Sequence, residues 1–93
     1  MNAQETAQIV AFQGLEWLAE DRDRIEAFVL QTGIAPRDLA RHAAEPEMLA
    51  AVLDFLLADD GLVLAFAAHA ALSPEGVWRA RAALPGGEVP NWT

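Results

Sequence analysis

The two histidines are the side chains best suited to acid–base or metal chemistry, and they stand far apart in the sequence. His42 has Arg41 and Glu45 nearby, which predicts a solvated surface residue. His69 lies within the apolar run GLVLAFAAHAAL, where a histidine is more often a core or interface residue than a catalyst. No second histidine is close by, and the chain has no cysteine to complete a zinc site. We therefore expect no metal site and no catalytic histidine.

The carboxylates are densest between the first two apolar segments, at Glu16, Glu20, Asp21, Asp23 and Glu26. Such a cluster could hold a hard cation, but the residue spacing and the glycine of a Ca²⁺-binding loop are absent. Solvated acids at a helix end are the simpler interpretation, because acids stabilise helix N-termini. The single serine, Ser73, precedes a proline and is typical of a helix cap. With no phosphate-binding loop or nucleophile motif, the sequence predicts neither enzyme activity nor a cofactor.

The arginines provide the case for nucleic acid. All six basic residues are arginines, and Arg37 with Arg41 are one helical turn apart after a glycine turn. This arrangement is similar to a helix-turn-helix. A net charge of −8 argues against it, because affinity for phosphate depends on basic side chains that release counterions. We therefore expect a protein partner, and we keep nucleic-acid association through the arginines of the third and sixth helices as the alternative.

The tryptophans have different predicted roles. Trp17 and Trp78 fall within helical patterns and are predicted to be core residues, although the Trp78 face could instead form a homodimer interface. Trp92 lies in a segment over residues 88–93 that is predicted to be a flexible tail, from which an aromatic ring could dock into a partner. The candidate interaction surface comprises Arg37, Arg41, Trp78, Arg79, Arg81 and Trp92.

Helices must position all of these side chains. The chain is 54% hydrophobic, twenty residues are alanine and tyrosine is absent, which indicates an all-α fold. Apolar residues recur at helical period and predict a compact bundle of five to six helices, the first over residues 4–20. The fifth helix is apolar nearly all round, so it is predicted to be buried among the others or covered by a second subunit. Predicted helix starts and stops are Asp21 or Asp23, Asp59 and Ser73 as N-caps, Pro36, Pro46 and Pro74 in first turns, and Gly33 after a helix.

The helices form two related halves. A shift of 38 residues aligns residues 9–45 with 47–83 without a gap, and eight of the 37 positions are identical, including Phe28 with Phe66 and Pro36 with Pro74. Each proline has flanking apolar residues at the spacing of a hydrophobic staple, Ile34 with Leu39 and Leu72 with Val77. Small helical domains can look alike by composition, but the shared Phe and Pro favour an internal duplication, with the halves closed around a pseudo-twofold. We predict one domain over residues 1–87.

The sequence resembles a known family over residues 6–87. The stretches that carry the resemblance are AFQGLEWLAED at 11–21, TGIAPRDL at 32–39, AVLDFLLADDGLVLAFA at 51–67 and LSPEGVWRARAALPGG at 72–87. They are similar to the DUF3572 family, small alphaproteobacterial proteins of unknown function. The resemblance implies a helical fold and transfers no catalytic residue. The N-terminus lacks the pattern of a signal peptide, and no apolar run reaches about 20 residues, so we expect a cytoplasmic interaction or regulatory protein outside the membrane.

Overall fold

The computed structural model describes residues 1–86 as a bundle of six α-helices. The helices are α1 (Ala3–Ala19), α2 (Arg22–Thr32), α3 (Pro36–His42), α4 (Pro46–Leu57), α5 (Asp60–His69) and α6 (Pro74–Ala82). Within these 86 residues every regular element is helical, as predicted. Residues 87–93, which include the predicted tail and Trp92, lie outside the described part of the chain. None of the six helices is both long and apolar enough to cross a membrane.

The helix ends follow the predicted local chemistry. The Asp21 side chain accepts hydrogen bonds from the first turn of α2, Asp59 accepts from Leu62 N–H, and Ser73 accepts from Gly76 N–H. All three prolines lie at the start of their helices, where a missing N–H leaves no bond unmade. The structure adds a capping box at Asn2, whose carboxamide oxygen accepts from Glu5 N–H while the Glu5 carboxylate accepts from Asn2 N–H.

The core is centred on α1 and α4, which pack closely against each other. A Cβ atom added at Gly14 would lie 3.0 Å from Leu56 Cδ1 and 3.1 Å from Val52 Cγ1, so the glycine sets how closely the two helices approach. Helix α6 also packs on α1, and α5 packs on α4 and α6. The largest fully buried side chains are Phe28, Phe66, Leu18, Leu49, Leu53, Leu56, Val52 and Val77.

Two aromatic pairs join the two halves reciprocally. Trp17 packs on Phe66 with ring centroids 5.8 Å apart, and Phe55 packs on Phe28 at 5.5 Å. In the 38-residue alignment Trp17 corresponds to Phe55, and Phe28 corresponds to Phe66. The two aromatic pairs are therefore equivalent, and each joins one residue of the first half to one of the second. Helices α2 and α5 also begin 38 residues apart, as do α3 and α6. The internal duplication itself stays a prediction, and this packing is what it would produce.

The prediction that α5 is buried among other helices is wrong. Only Val63, Phe66 and Ala67 of this helix are buried, and Leu64 is 56% exposed. The sequence pattern misleads here because alanine counts as apolar, yet an exposed alanine leaves little apolar area in water. The alternative prediction, that a second subunit covers this helix, remains open.

The prediction that Trp78 is a core residue is also wrong, because its side chain is 60% exposed. Helix α6 buries Val77 and Ala80, which places the residue after Val77 on the outer face. The exposure keeps Trp78 in the candidate interaction surface. Val77 is buried, and Ile34, Leu39 and Leu72 pack against the core in part-buried positions, while the staple contacts themselves stay a prediction.

Candidate functional site

The arginines predicted as an interaction surface occupy different environments. Arg37 and Arg41 are exposed on α3, and the Arg41 side chain contacts Asp38 only loosely, at 3.5 Å. Arg79 is exposed on α6 and lines a groove between α1 and α6. The arginine pair therefore lies on α3, whereas Arg79 lies in a groove formed by α1 and α6.

Among the predicted surface residues within 1–86, Arg81 is the one whose side chain is mostly buried. Its guanidinium donates to the Asp54 carboxylate through Nε at 2.6 Å and Nη2 at 3.3 Å. Nη1 donates to the carbonyls of Leu84 at 3.5 Å and Pro85 at 3.0 Å. With 14% of its side chain exposed, Arg81 joins α6 to α4 and fixes the turn after α6. No feature of the sequence indicated that Arg81 would pair with Asp54.

An apolar groove lies on the outer face of α2, beside the start of α3. Its volume is about 440 Å³, and its lining residues are Arg22, Ile25, Glu26, Val29, Leu30 and Pro36. Leu30 is 84% exposed, the most of any leucine in the chain's described residues. We call this feature the α2–α3 groove. The sequence analysis did not predict this groove. A signal was present, because α2 has apolar residues at 25, 29 and 30 in addition to Phe28, which is its one buried residue.

Two opposite charges border the α2–α3 groove. Arg22 and Glu26 lie one helical turn apart, and neither side chain makes a hydrogen bond or an ion pair with another side chain of residues 1–86. Both residues are exposed. The groove therefore offers apolar contact area together with one unpaired positive and one unpaired negative group. Such a combination can recognise a peptide or protein surface, because the apolar area gives affinity and the charges give orientation.

A more polar pocket lies where α1 ends beside the end of α5. It has a volume of about 360 Å³ and is lined by Gln13, Glu16, Trp17, Glu20, His69 and Ala70. The His69 and Trp17 ring centroids are 6.4 Å apart, and the Arg24 guanidinium stacks over the Trp17 ring at 3.8 Å from its centroid. Arg24 therefore stabilises the Trp17 environment rather than offering a free charge.

The predicted acidic cluster is divided among several tasks. Glu16 and Glu20 line the polar pocket, Asp21 caps α2, and Glu26 borders the α2–α3 groove. No group of three acidic or histidine side chains in residues 1–86 is arranged to hold a metal ion. His42 lies apart from this cluster, with Nδ1 2.6 Å from the Glu45 carboxylate. The acids therefore act locally at different helix ends.

Comparison with known proteins agrees with the resemblance seen in the sequence. A family model described as "Protein of unknown function (DUF3572)" matches residues 4–87, which is most of the chain. No curated protein and no solved structure matches it. Because the match covers more than half of the chain, the chain belongs to the DUF3572 family.

Proposed function

We propose that this protein is a non-catalytic protein-interaction module that binds its partner through the α2–α3 groove. The observation that carries the proposal is Leu30, a leucine that is 84% exposed at the edge of an apolar groove. Exposed apolar side chains that occur singly are normal, but several that line one groove mark an interaction site. Ile25, Val29 and Pro36 supply the rest of this apolar lining.

The groups suited to catalysis have other tasks, which supports a role without chemistry. The Ser73 hydroxyl accepts the Gly76 N–H as the cap of α6. His42 is paired with Glu45 on the surface, and His69 lies beside Trp17 with no adjacent nucleophile in the same pocket. A nucleophile needs a base within hydrogen-bond reach, and these groups do not provide one.

The nucleic-acid alternative loses part of its basis. It required the arginines of α3 and α6 to face a phosphate backbone, and Arg81 is instead paired with Asp54. Arg41 lies beside Asp38, and the whole chain carries a net charge of −8. A protein interaction needs no such basic surface. We propose that the interaction takes place in the cytoplasm, because the chain has no cysteine and so does not use the disulfides typical of secreted proteins.

Affinity capture from the native host, with the groove altered, tests this function. We expect the wild-type chain to retain a protein, another copy or a different chain, and Leu30→Ser to reduce the retained amount about tenfold through lost apolar contact. Leu64→Ser is the matched control, because it removes an exposed leucine from α5. Circular dichroism would confirm that both variants fold. Equal retention by the Leu30 and Leu64 variants, or no retained protein and no self-association, would refute the proposal.

A further inference from the structure

We infer that the occupant of the α2–α3 groove is a second copy of this chain, held by an antiparallel pairing of two α2 helices around a twofold axis. The inference rests on the proposed function and names its partner. Twofold interfaces use the same surface on both copies, so that surface must be complementary to itself. The α2–α3 groove meets this condition, because it is bordered by one arginine and one glutamate that are both unpaired within residues 1–86.

The charge distribution favours this surface over the rest of the molecule. Two copies that each carry a net charge of −8 repel one another. Apart from Arg24, which stacks on Trp17, residues 22–42 contain three arginines and three acids, whereas the remaining described residues contain two arginines and ten acids. The surface of α2 and α3 is therefore the region where two copies approach with the least like-charge repulsion.

The spacing along α2 selects the antiparallel arrangement. With the twofold axis at Ile25, Arg22 lies opposite position 28 of the second copy. Glu26 of that copy is two residues away, about 3 Å along the helix at 1.5 Å per residue. An arginine side chain spans this offset, and the symmetry gives two such pairs. A parallel arrangement would instead place Arg22 against Arg22 and Glu26 against Glu26. The repulsion between these like charges disfavours the parallel arrangement.

Ile25 lies on the axis in this arrangement, so the two copies of a part-buried apolar side chain meet at the centre of the interface. Leu30 lies towards each end, where it can pack on the aliphatic stem of Arg22 of the second copy. The apolar groove and the two charge pairs thus belong to a single interface. Its small size places it among weak, reversible associations.

Sedimentation equilibrium of the full chain tests the inference, at protein concentrations from about 5 to 500 µM, a range suited to a small interface. We expect the wild type to form a reversible dimer. Arg22→Glu and Glu26→Arg each replace two attractive pairs with two repulsive ones, so each should weaken the dimer roughly tenfold to thirtyfold. Asp60→Arg is the matched control for Glu26→Arg, and the double variant Ala65→Glu with Ala68→Glu is the control for Arg22→Glu, since they make the same changes of net charge at exposed positions of α5.

Mixing the two groove variants is the decisive step. In a heterodimer of Arg22→Glu with Glu26→Arg, both pairs join opposite charges again, so the mixture should dimerise more strongly than either variant alone. A monomeric wild type, no rescue on mixing, or equal losses in the controls would overturn the inference. A monomeric wild type that still retains a different protein through Leu30 would overturn the dimer alone and leave the proposed function standing.

Discussion

Ala71, between α5 and α6, should be replaceable by glycine with a gain in stability. It is the one non-glycine residue with a positive φ in residues 1–86, at 57°. The Leu72 N–H donates to the Ala67 carbonyl at 2.8 Å and the Ala71 N–H to the Ala68 carbonyl at 3.3 Å, the hydrogen bonds of a Schellman motif. The aligned residue of the first half is Gly33, which ends α2 with φ 74°. The second half therefore makes the same left-handed turn with an alanine instead of a glycine.

Two opposing effects set the size of the gain. A left-handed conformation costs an L-residue about 1–2 kcal/mol, which Ala71→Gly removes. Glycine also gives the unfolded chain more freedom, which costs about 0.4–1 kcal/mol of stability. The difference is a stabilisation of about 0.5–1 kcal/mol, which for a domain of this size raises Tm by roughly 2–8 °C.

Thermal and urea unfolding followed by circular dichroism measure this change. Gly33→Ala is the converse variant, and it should lower stability through backbone strain alone, because an added Cβ would have nothing within 4 Å. Ala68→Gly is the control for glycine itself, and it should cost about 0.5–1 kcal/mol because it lies within α5 on an exposed face. If Ala71→Gly were destabilising by as much as Ala68→Gly, the turn would not be strained and the reasoning would be refuted.

Three further predictions follow from packing and capping. Gly14→Val should destabilise the fold by about 1–3 kcal/mol in urea unfolding, because its side chain must displace the facing α4 residues. Arg81→Met and Asp54→Asn should each lower Tm, and the double variant should lose less than the sum, because either single change already breaks the interhelical pair. Asp21→Ala and Asp59→Ala should each lower the free energy of unfolding by about 1 kcal/mol, since both carboxylates cap a helix. Clearly unequal losses would contradict the expectation that the two caps are equivalent.

The helix boundaries could be predicted from the sequence because they depend on local chemistry. A proline such as Pro74 and a cap such as Ser73 act on N–H groups within one turn, so neighbouring residues decide the result. The α6 start is therefore where the sequence predicts it. Asn2 follows the same rule, and its capping box was readable from the glutamate three residues later.

Burial and pairing between distant residues could not be predicted in the same way. Trp78 is exposed because the rotation of α6 about its axis is set by Val77 and Ala80, which fit against α1 and α4. The Arg81–Asp54 pair spans 27 residues and depends on how α6 crosses α4. Arg24 stacks on Trp17 for the same kind of reason. Each of these depends on how helices pack, which periodicity along one helix does not encode.

The candidate site shows the same division. The sequence selects α3 through Arg37 and Arg41, which are exposed as expected. The groove beside them needs α2 and α3 to be placed against each other, with Pro36 forming one wall. The predicted surface residues include none that lines the groove, because the cavity depends on how α2 and α3 pack against each other.

Comparison of the two halves indicates that Leu30 is not needed for folding. Its aligned residue in α5 is Ala68, which is exposed in the same way. Both halves bury the phenylalanine two residues earlier, Phe28 or Phe66, so the core contact is complete in each without a large side chain at this position. Helix α3 is too short, at seven residues, to cover the end of α2. Leu30→Ala should therefore change the free energy of unfolding by less than about 0.5 kcal/mol, as an exposed substitution does. A large loss of stability would mean that Leu30 serves the fold, whereas an unchanged fold with lost association would assign it to the interface.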